Sequence, residues 1–120
     1  AVFVDARREA VALVRENLKR TRLSDRAETV LGDYLDYLSR CRQTFDVILL
    51  DPPYAEVFLE TALQKISEID ILSDGGIIIC ERPAEKPHPG QFPGLSAGKD
   101  YRYGKTLVTL YRKDSHREEP

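Results

Sequence analysis

Apolar residues recur along this chain with two different periods, and the switching between them outlines the fold. Val2-Phe3-Val4-Asp5 is a short apolar run ending in an acid, as expected of a buried strand. From Arg7 to Leu23 the apolar positions Ala10, Val11, Val14 and Leu18 fall at helical spacing, while Arg7, Arg8, Arg15, Lys19 and Arg20 cover much of the remaining circumference. The pattern predicts a surface helix with a basic outer face. Glu28 to Leu31 reads as a brief strand, Gly32-Asp33 as a turn, and Tyr34 to Arg42 as a helix with Leu35 and Leu38 turned inward.

Phe45 to Leu50 contains the continuous run Val47-Ile48-Leu49-Leu50 and stops at Asp51-Pro52-Pro53, which predicts a strand covered on both faces. Ala55 to Ile69 follows as a helix, with Leu59, Ala62, Leu63 and Ile66 at i, i+3, i+4 and i+7. Asp74-Gly75-Gly76 is expected to form a flexible turn, and Ile77 to Cys80 a second fully buried strand. Between Arg82 and Asp100, Pro83, Pro87, Pro89 and Pro93 with Gly90, Gly94 and Gly98 predict a mobile excursion over the surface without a long regular element. Tyr101 to Tyr103, the turn Gly104-Lys105, and Thr106 to Tyr111 read as a terminal hairpin. The polar tail from Lys113 to Pro120 is expected to fray.

Strand and helix thus alternate before the chain closes on a hairpin, so an α/β domain with a mostly parallel sheet, helices on both faces and one antiparallel edge is expected over residues 1–113. Ligands of such sheets bind at the carboxyl ends of the strands. Three of those ends carry acids: Asp5, Asp33 and Asp51.

Composition narrows the picture only a little. The chain has 120 residues, enough for one core, and 42% are hydrophobic, which argues against disorder of the whole. Its 18 basic and 20 acidic side chains leave a formal net charge of −2, so affinity for nucleic acid must come from a local patch. Cys41 and Cys80 lack partners at metal-ligand spacing, and Cys80 lies in an apolar run as a buried thiol would. His88 and His116 fall in the proline-rich segment and the tail and suggest no catalytic arrangement; no metal site is expected. No apolar stretch approaches the roughly 20 residues that cross a bilayer, and the cytoplasm is the expected location.

The chemistry concentrates at Asp51-Pro52-Pro53-Tyr54. An amino nitrogen on a nucleobase ring is a poor nucleophile because its lone pair is delocalised into the ring. Acceptors aimed at both amino hydrogens favour a pyramidal nitrogen whose lone pair faces a methyl donor, and the Asp51 carboxylate and Pro52 carbonyl are such acceptors. Each proline fixes its φ near −65°, and Pro52 holds Asp51 extended, so these acceptors are set in advance. Tyr54 offers a flat face for an extruded base. The plainer alternative is a strand that ends and a chain that turns. Asp5 can accept both hydroxyls of a ribose, or it can cap the helix that starts near Arg7. Asp33 can accept from the adenine amino group of a cofactor, or cap the helix behind it, and the residue alone leaves both open. Arg102 and Lys105 in the hairpin are further candidates for contact with nucleic acid, while the basic face of the first helix can be simply solvated.

The order V-F-V-D, L-G-D-Y, D-V-I-L-L-D-P-P-Y, a helix, G-G-I-I-I-C-E and Y-R-Y-G-K-T with a closing strand resembles the bacterial 16S ribosomal RNA guanine-N2 methyltransferase family over nearly the whole chain to Lys113. The resemblance implies a Rossmann-like class I fold and S-adenosyl-L-methionine as cofactor, with a guanine of 16S rRNA in a small-subunit assembly intermediate as substrate. It implies catalysis by Asp51, Pro52, Pro53 and Tyr54, with Asp5 on the cofactor ribose and Asp33 by the adenine. It also implies a seven-stranded sheet whose last strand is antiparallel.

The family's N-terminal arm, first strand and glycine-rich loop have no counterpart here, so the chain is expected to be a truncated piece of an active enzyme that binds the cofactor weakly. The strands at Val2–Asp5 and Phe45–Leu50 would flank the absent strand, and closure of their bare edges by direct pairing or by another copy of the chain is expected. Three rivals stay open: an adenine-N6 or other amino methyltransferase, since the same chemistry serves any exocyclic amine; a nicotinamide-dependent dehydrogenase, to which the tandem prolines and hairpin are poorly suited; and a non-catalytic binding module.

Overall fold

The computed structural model describes residues 1–51 and 58–114. The chain divides into two compact units, Ala1–Cys41 and the part from Arg42 onward.

In the first unit, β1 (Val2–Asp5) and β2 (Glu28–Leu31) form a parallel pair in register from Val2 opposite Glu28 to Asp5 opposite Leu31. Parallel strands need a crossover, and α1 (Arg8–Arg20) with a 3-10 turn at Ser24–Arg26 supplies it. Val11 is the buried residue of α1. The helix stops three residues short of the expected Leu23, and its own residues end it. Arg22 takes a left-handed φ of 60°, so that Leu23 N donates to Leu18 O at 2.9 Å and Arg22 N to Lys19 O at 3.1 Å. This closure usually uses glycine. Behind β2, α2 (Tyr34–Arg40) is capped by Asp33, whose Oδ2 accepts from Leu35 N at 3.1 Å and Asp36 N at 3.3 Å.

The second unit is built on a four-stranded sheet of order β3 (Phe45–Leu50), β4 (Leu72–Pro83), β6 (Thr106–Lys113) and β5 (Leu95–Tyr103). β3 and β4 run parallel, and the other two pairings are antiparallel, so this sheet is mixed. α3 spans Phe58–Glu68 among the described residues, and the expected stripe of Leu59, Ala62, Leu63 and Ile66 is its buried side. That stripe, with Ile78 and Cys80 of β4 and Thr109 and Tyr111 of β6, makes the core.

Four expectations are corrected. β3 is not covered on both faces: Val47 is 55% and Leu49 65% exposed, while Leu50 is buried. Nor is β4 buried throughout, since Ile78 and Cys80 are enclosed but Ile77 and Ile79 only partly so. The Asp74-Gly75-Gly76 segment is no turn but a bulge inside β4, where the partner register jumps from Phe45–Leu72 to Val47–Ile77. Only glycine suits that bulge, because Gly75 has φ 77° and a Cβ on Gly76 would lie 2.7 Å from Leu72 Cδ1 and Ser73 O. Finally, the irregular excursion is shorter than 82–100: β4 continues through Pro83 and β5 begins at Leu95, which leaves 84–94 between them. Gly98 lies in β5, at a second register shift between Ala97 and Asp100.

β6 also runs to Lys113, whose ammonium binds Asp70 Oδ1 at 3.0 Å and Leu72 O at 2.8 Å. The hairpin turn is tight, with Gly104 at φ 61° supplying the positive dihedral that a two-residue loop needs. β1 and β3 are each an edge strand of the sheet in their own unit. The tail expected to fray falls, beyond Asp114, outside the described residues. No helix among them is long and apolar enough to cross a membrane.

Candidate functional site

Each sheet presents its acids at the carboxyl ends of its parallel strands, the end at which α/β sheets bind ligands. In the first unit Asp5 ends β1 and Asp33 follows β2, and Gly32 N donates to Asp5 O at 2.9 Å, which holds the two strand ends together. A Cβ placed on Gly32 would meet nothing within 4 Å, so the space beside these carboxylates is open.

Asp5 is not the helix cap; Arg7 is, without a capping side-chain bond. Asp5 Oδ1 instead accepts from the Arg7 backbone N–H at 2.8 Å, and the Arg7 guanidinium reaches both oxygens at 3.2 Å. The hydrogen bonds from Arg7 hold the Asp5 carboxyl below its ordinary range, so it is ionised at neutral pH and ready to accept from hydroxyl groups. The Arg7 side chain is exposed, and a solvated pair of this kind opens readily to admit another donor. Asp33 does act as a helix cap, but both of its bonds go to Oδ2, which leaves Oδ1 for another donor.

In the second unit Asp51 is exposed one residue beyond β3, next to Leu50, which pairs with the fully buried Cys80. A rigid apolar floor thus fixes where the carboxylate emerges. Pro52, Pro53 and Tyr54, expected to complete the catalytic segment, lie outside the described residues. Arg102 and Lys105 are both exposed at the hairpin end, and Arg102 Nε donates to Gly104 O at 3.0 Å, which braces the turn.

Two polar features escaped the sequence. Arg82, only 5% exposed, donates to Thr109 Oγ1 at 2.9 Å, Lys86 O at 2.9 Å and Asp100 Oδ2 at 3.0 Å, and Thr109 Oγ1 donates to Asp100 Oδ1 at 2.7 Å. The ring ties β4, β5, β6 and the 84–94 segment together. The available signal was phase: Arg82 is even-numbered like the buried Ile78 and Cys80, and so shares their face. The second feature is Glu60, in the first turn of α3, whose Oε2 is buried and has no hydrogen-bond partner among the described residues. Tyr111 packs against Phe92 and His88, with ring centroids 6.0 Å away in both cases, and its hydroxyl donates to Gly90 O at 2.7 Å. Its burial, together with that of Cys80, pushes both groups up to about 12.

A cavity of about 280 Å³ lies between the end of α3 and the start of β5, where Lys113 borders it. It opens at the amino end of β3 and β4, opposite Asp51, and its one ammonium is already neutralised by Asp70 and Asp74, so it does not mark the chemistry. No cluster of three or more metal-ligating side chains occurs among the described residues.

Residues 1–112 match the family model described as Conserved hypothetical protein 95. A curated relative, "Putative rRNA methyltransferase YlbH" of Bacillus subtilis strain 168, is 32% identical over 115 residues, which are 93% of this chain and 62% of the relative. The chain thus spans under two thirds of that protein's length. A solved Streptococcus pyogenes structure titled conserved hypothetical protein superposes with a TM-score of 0.88 at 25% identity, over 98% of this chain and 74% of its own. The O-methyltransferase from Bacillus cereus, solved in complex with SAH, shares the fold with a TM-score of 0.69 at 18% identity, over 93% of this chain and 62% of its own. The chain therefore belongs to the Conserved hypothetical protein 95 family, and its fold is the Rossmann-like fold of class I methyltransferases.

Proposed function

We propose that this chain belongs to an enzyme that uses S-adenosyl-L-methionine to methylate the exocyclic N2 amine of a guanine in 16S rRNA, within a small-subunit assembly intermediate. What carries this function is the emergence of an exposed Asp51 at the carboxyl end of β3, directly before Pro52-Pro53-Tyr54. The relative named as an rRNA methyltransferase and the structural neighbour solved with SAH support the substrate and cofactor classes. The residues of the first unit fit such a cofactor: Asp5 is an ionised acceptor for ribose hydroxyls, Asp33 keeps an oxygen for the adenine amine, and Gly32 leaves the space between them open.

When bound, the cofactor supplies an electrophilic methyl group. The chain's own part is to hold the acceptor. The Asp51 carboxylate and the Pro52 carbonyl accept the two amino hydrogens, the prolines keep both oxygens in place, and Tyr54 stacks on the base. Delocalisation of the amino lone pair into the ring is then offset before the methyl is reached.

Methyl transfer from tritiated cofactor to small-subunit rRNA tests this in a protein of the relatives' full length. Asp51→Ala is expected to lower turnover about 10²–10³-fold, as loss of one well-placed polar contact to a developing charge does, and Asp51→Asn to lower it less because an acceptor oxygen remains. Nucleoside analysis of the product should show N2-methylguanosine. Unchanged turnover in Asp51→Ala, or methylated adenosine as the product, rejects the proposal.

A further inference from the structure

The Tyr101-Arg102-Tyr103-Gly104-Lys105 segment, part of the sequence resemblance, carries two aromatic rings that take no part in the proposed methyl transfer. Both belong to the edge strand β5, and both are open: Tyr101 is 45% and Tyr103 66% exposed. Two residues apart in a strand, they share one face and stand about 6.6 Å from each other. Neither hydroxyl has a hydrogen-bond partner among the described residues. Large exposed aromatics in adjacent positions on one face are an unusual use of surface.

Register places these rings relative to the reactive end. Leu50 pairs with Cys80, so Asp51 continues to the level of Glu81; Glu81 pairs with Val108, and Val108 with Tyr101. Tyr101 therefore lies in the same row as Asp51, three strands away, or about 14 Å at ordinary strand spacing. Tyr103 pairs with Thr106 and lies further toward the same end. Both rings stand on the face opposite the buried Arg82, because the Arg102–Leu107–Arg82 row is the alternate one.

The charge beside the rings is positive. Lys99 and Lys105 are exposed on either side of them along the chain, Arg102 lies on the alternate row, and the intervening Asp100 is tied to Arg82 and Thr109. Glu81 is the carboxylate on the tyrosines' own row. The bulge between Ala97 and Asp100 and the lysine beside it are features that blunt an edge against pairing with another strand, so a second copy of the chain is the poorer occupant.

We infer that Tyr101 and Tyr103 form a stacking platform for two bases of unpaired RNA that flank the methylated nucleotide, with Lys99 and Lys105 on the adjoining phosphates. The platform rests on the proposed action on RNA and extends it: it commits the substrate to a single-stranded stretch on the β5 side of Asp51. Aromatic faces hold successive bases without selecting sequence, and flanking cations hold the backbone.

The test is binding of a fluorescein-labelled 12-nucleotide oligouridylate by the 120-residue chain, read by anisotropy and by quenching of tyrosine emission, since the chain has no tryptophan. The single strand should bind more tightly than the same length of duplex RNA. Tyr101→Ala with Tyr103→Ala should weaken binding roughly tenfold or more, while Tyr101→Phe with Tyr103→Phe should preserve it. Lys99→Ala with Lys105→Ala should flatten the salt dependence but keep the preference for single strands. No binding by the unchanged chain, equal binding of duplex, or full binding by the folded double alanine variant overturns the platform. Methyl transfer is not needed for any of these measurements, so a failed platform and a failed methyltransferase assignment give different results.

Discussion

At the residue scale, burial decides what a side chain can do. Cys41 is half-buried at the end of α2, while Cys80, in the apolar run expected of a buried thiol, is fully enclosed, with its thiol pushed up to about 12 by desolvation. A disulfide-exchange reagent at pH 8 is expected to modify one thiol per native chain, Cys41, and two after unfolding; fast labelling of both in the native protein contradicts this placement. Arg82 shows the same principle for charge. Asp100→Asn leaves its guanidinium buried without an anion, and a loss of about 3 kcal/mol is expected, the lower end for a broken buried pair because Asp100 is partly exposed. The urea midpoint measures it. Glu16→Ala, which opens the exposed Arg20–Glu16 pair, should shift the same midpoint by less than about 0.5 kcal/mol.

At the element scale, the hydrophobic pattern located the strands well but did not say which of their faces would be covered. Val47-Ile48-Leu49-Leu50 is apolar throughout, yet Val47 and Leu49 stand exposed on an edge strand. Replacing both by lysine is therefore expected to change stability by less than about 1 kcal/mol while reducing self-association, because exposed apolar edges invite pairing. Light scattering and thermal unfolding check the two halves, and a collapse in stability would show that this face is packed. The glycines of β4 teach a related lesson. Asp74-Gly75-Gly76 carries every local mark of a turn, but the same backbone freedom serves a bulge when strands on both sides fix its ends.

At the scale of the whole molecule, the buried acids of the second unit set the response to alkali. Cys80 and Tyr111 are neutral in the fold and ordinarily ionise near 9.0 and 10.0. The unfolded chain thus holds fewer protons than the native one above pH 9, and stability must fall as pH rises from about 9 toward 12. Denaturant midpoints taken from pH 7 to 11 should be level at first and then decline, and Cys80→Ala should make the decline shallower. A midpoint that rose across that range would reverse the sign and refute the burial of these groups.

The alternation of periods by itself determined the order of strands and helices, the hairpin, the buried stripe of α3 and the position of acids at strand ends, because side-chain spacing reports local geometry directly. The emergence of Asp51 just beyond β3 was legible for the same reason, since the apolar run ends at Leu50. Tertiary structure alone decided the rest. Arg82 closing a ring with residues 18 and 27 positions away and Tyr101 standing level with Asp51 both depend on strand register. Register is a property of paired strands, set by bulges and by the contacts of distant segments, and no single stretch of sequence contains it.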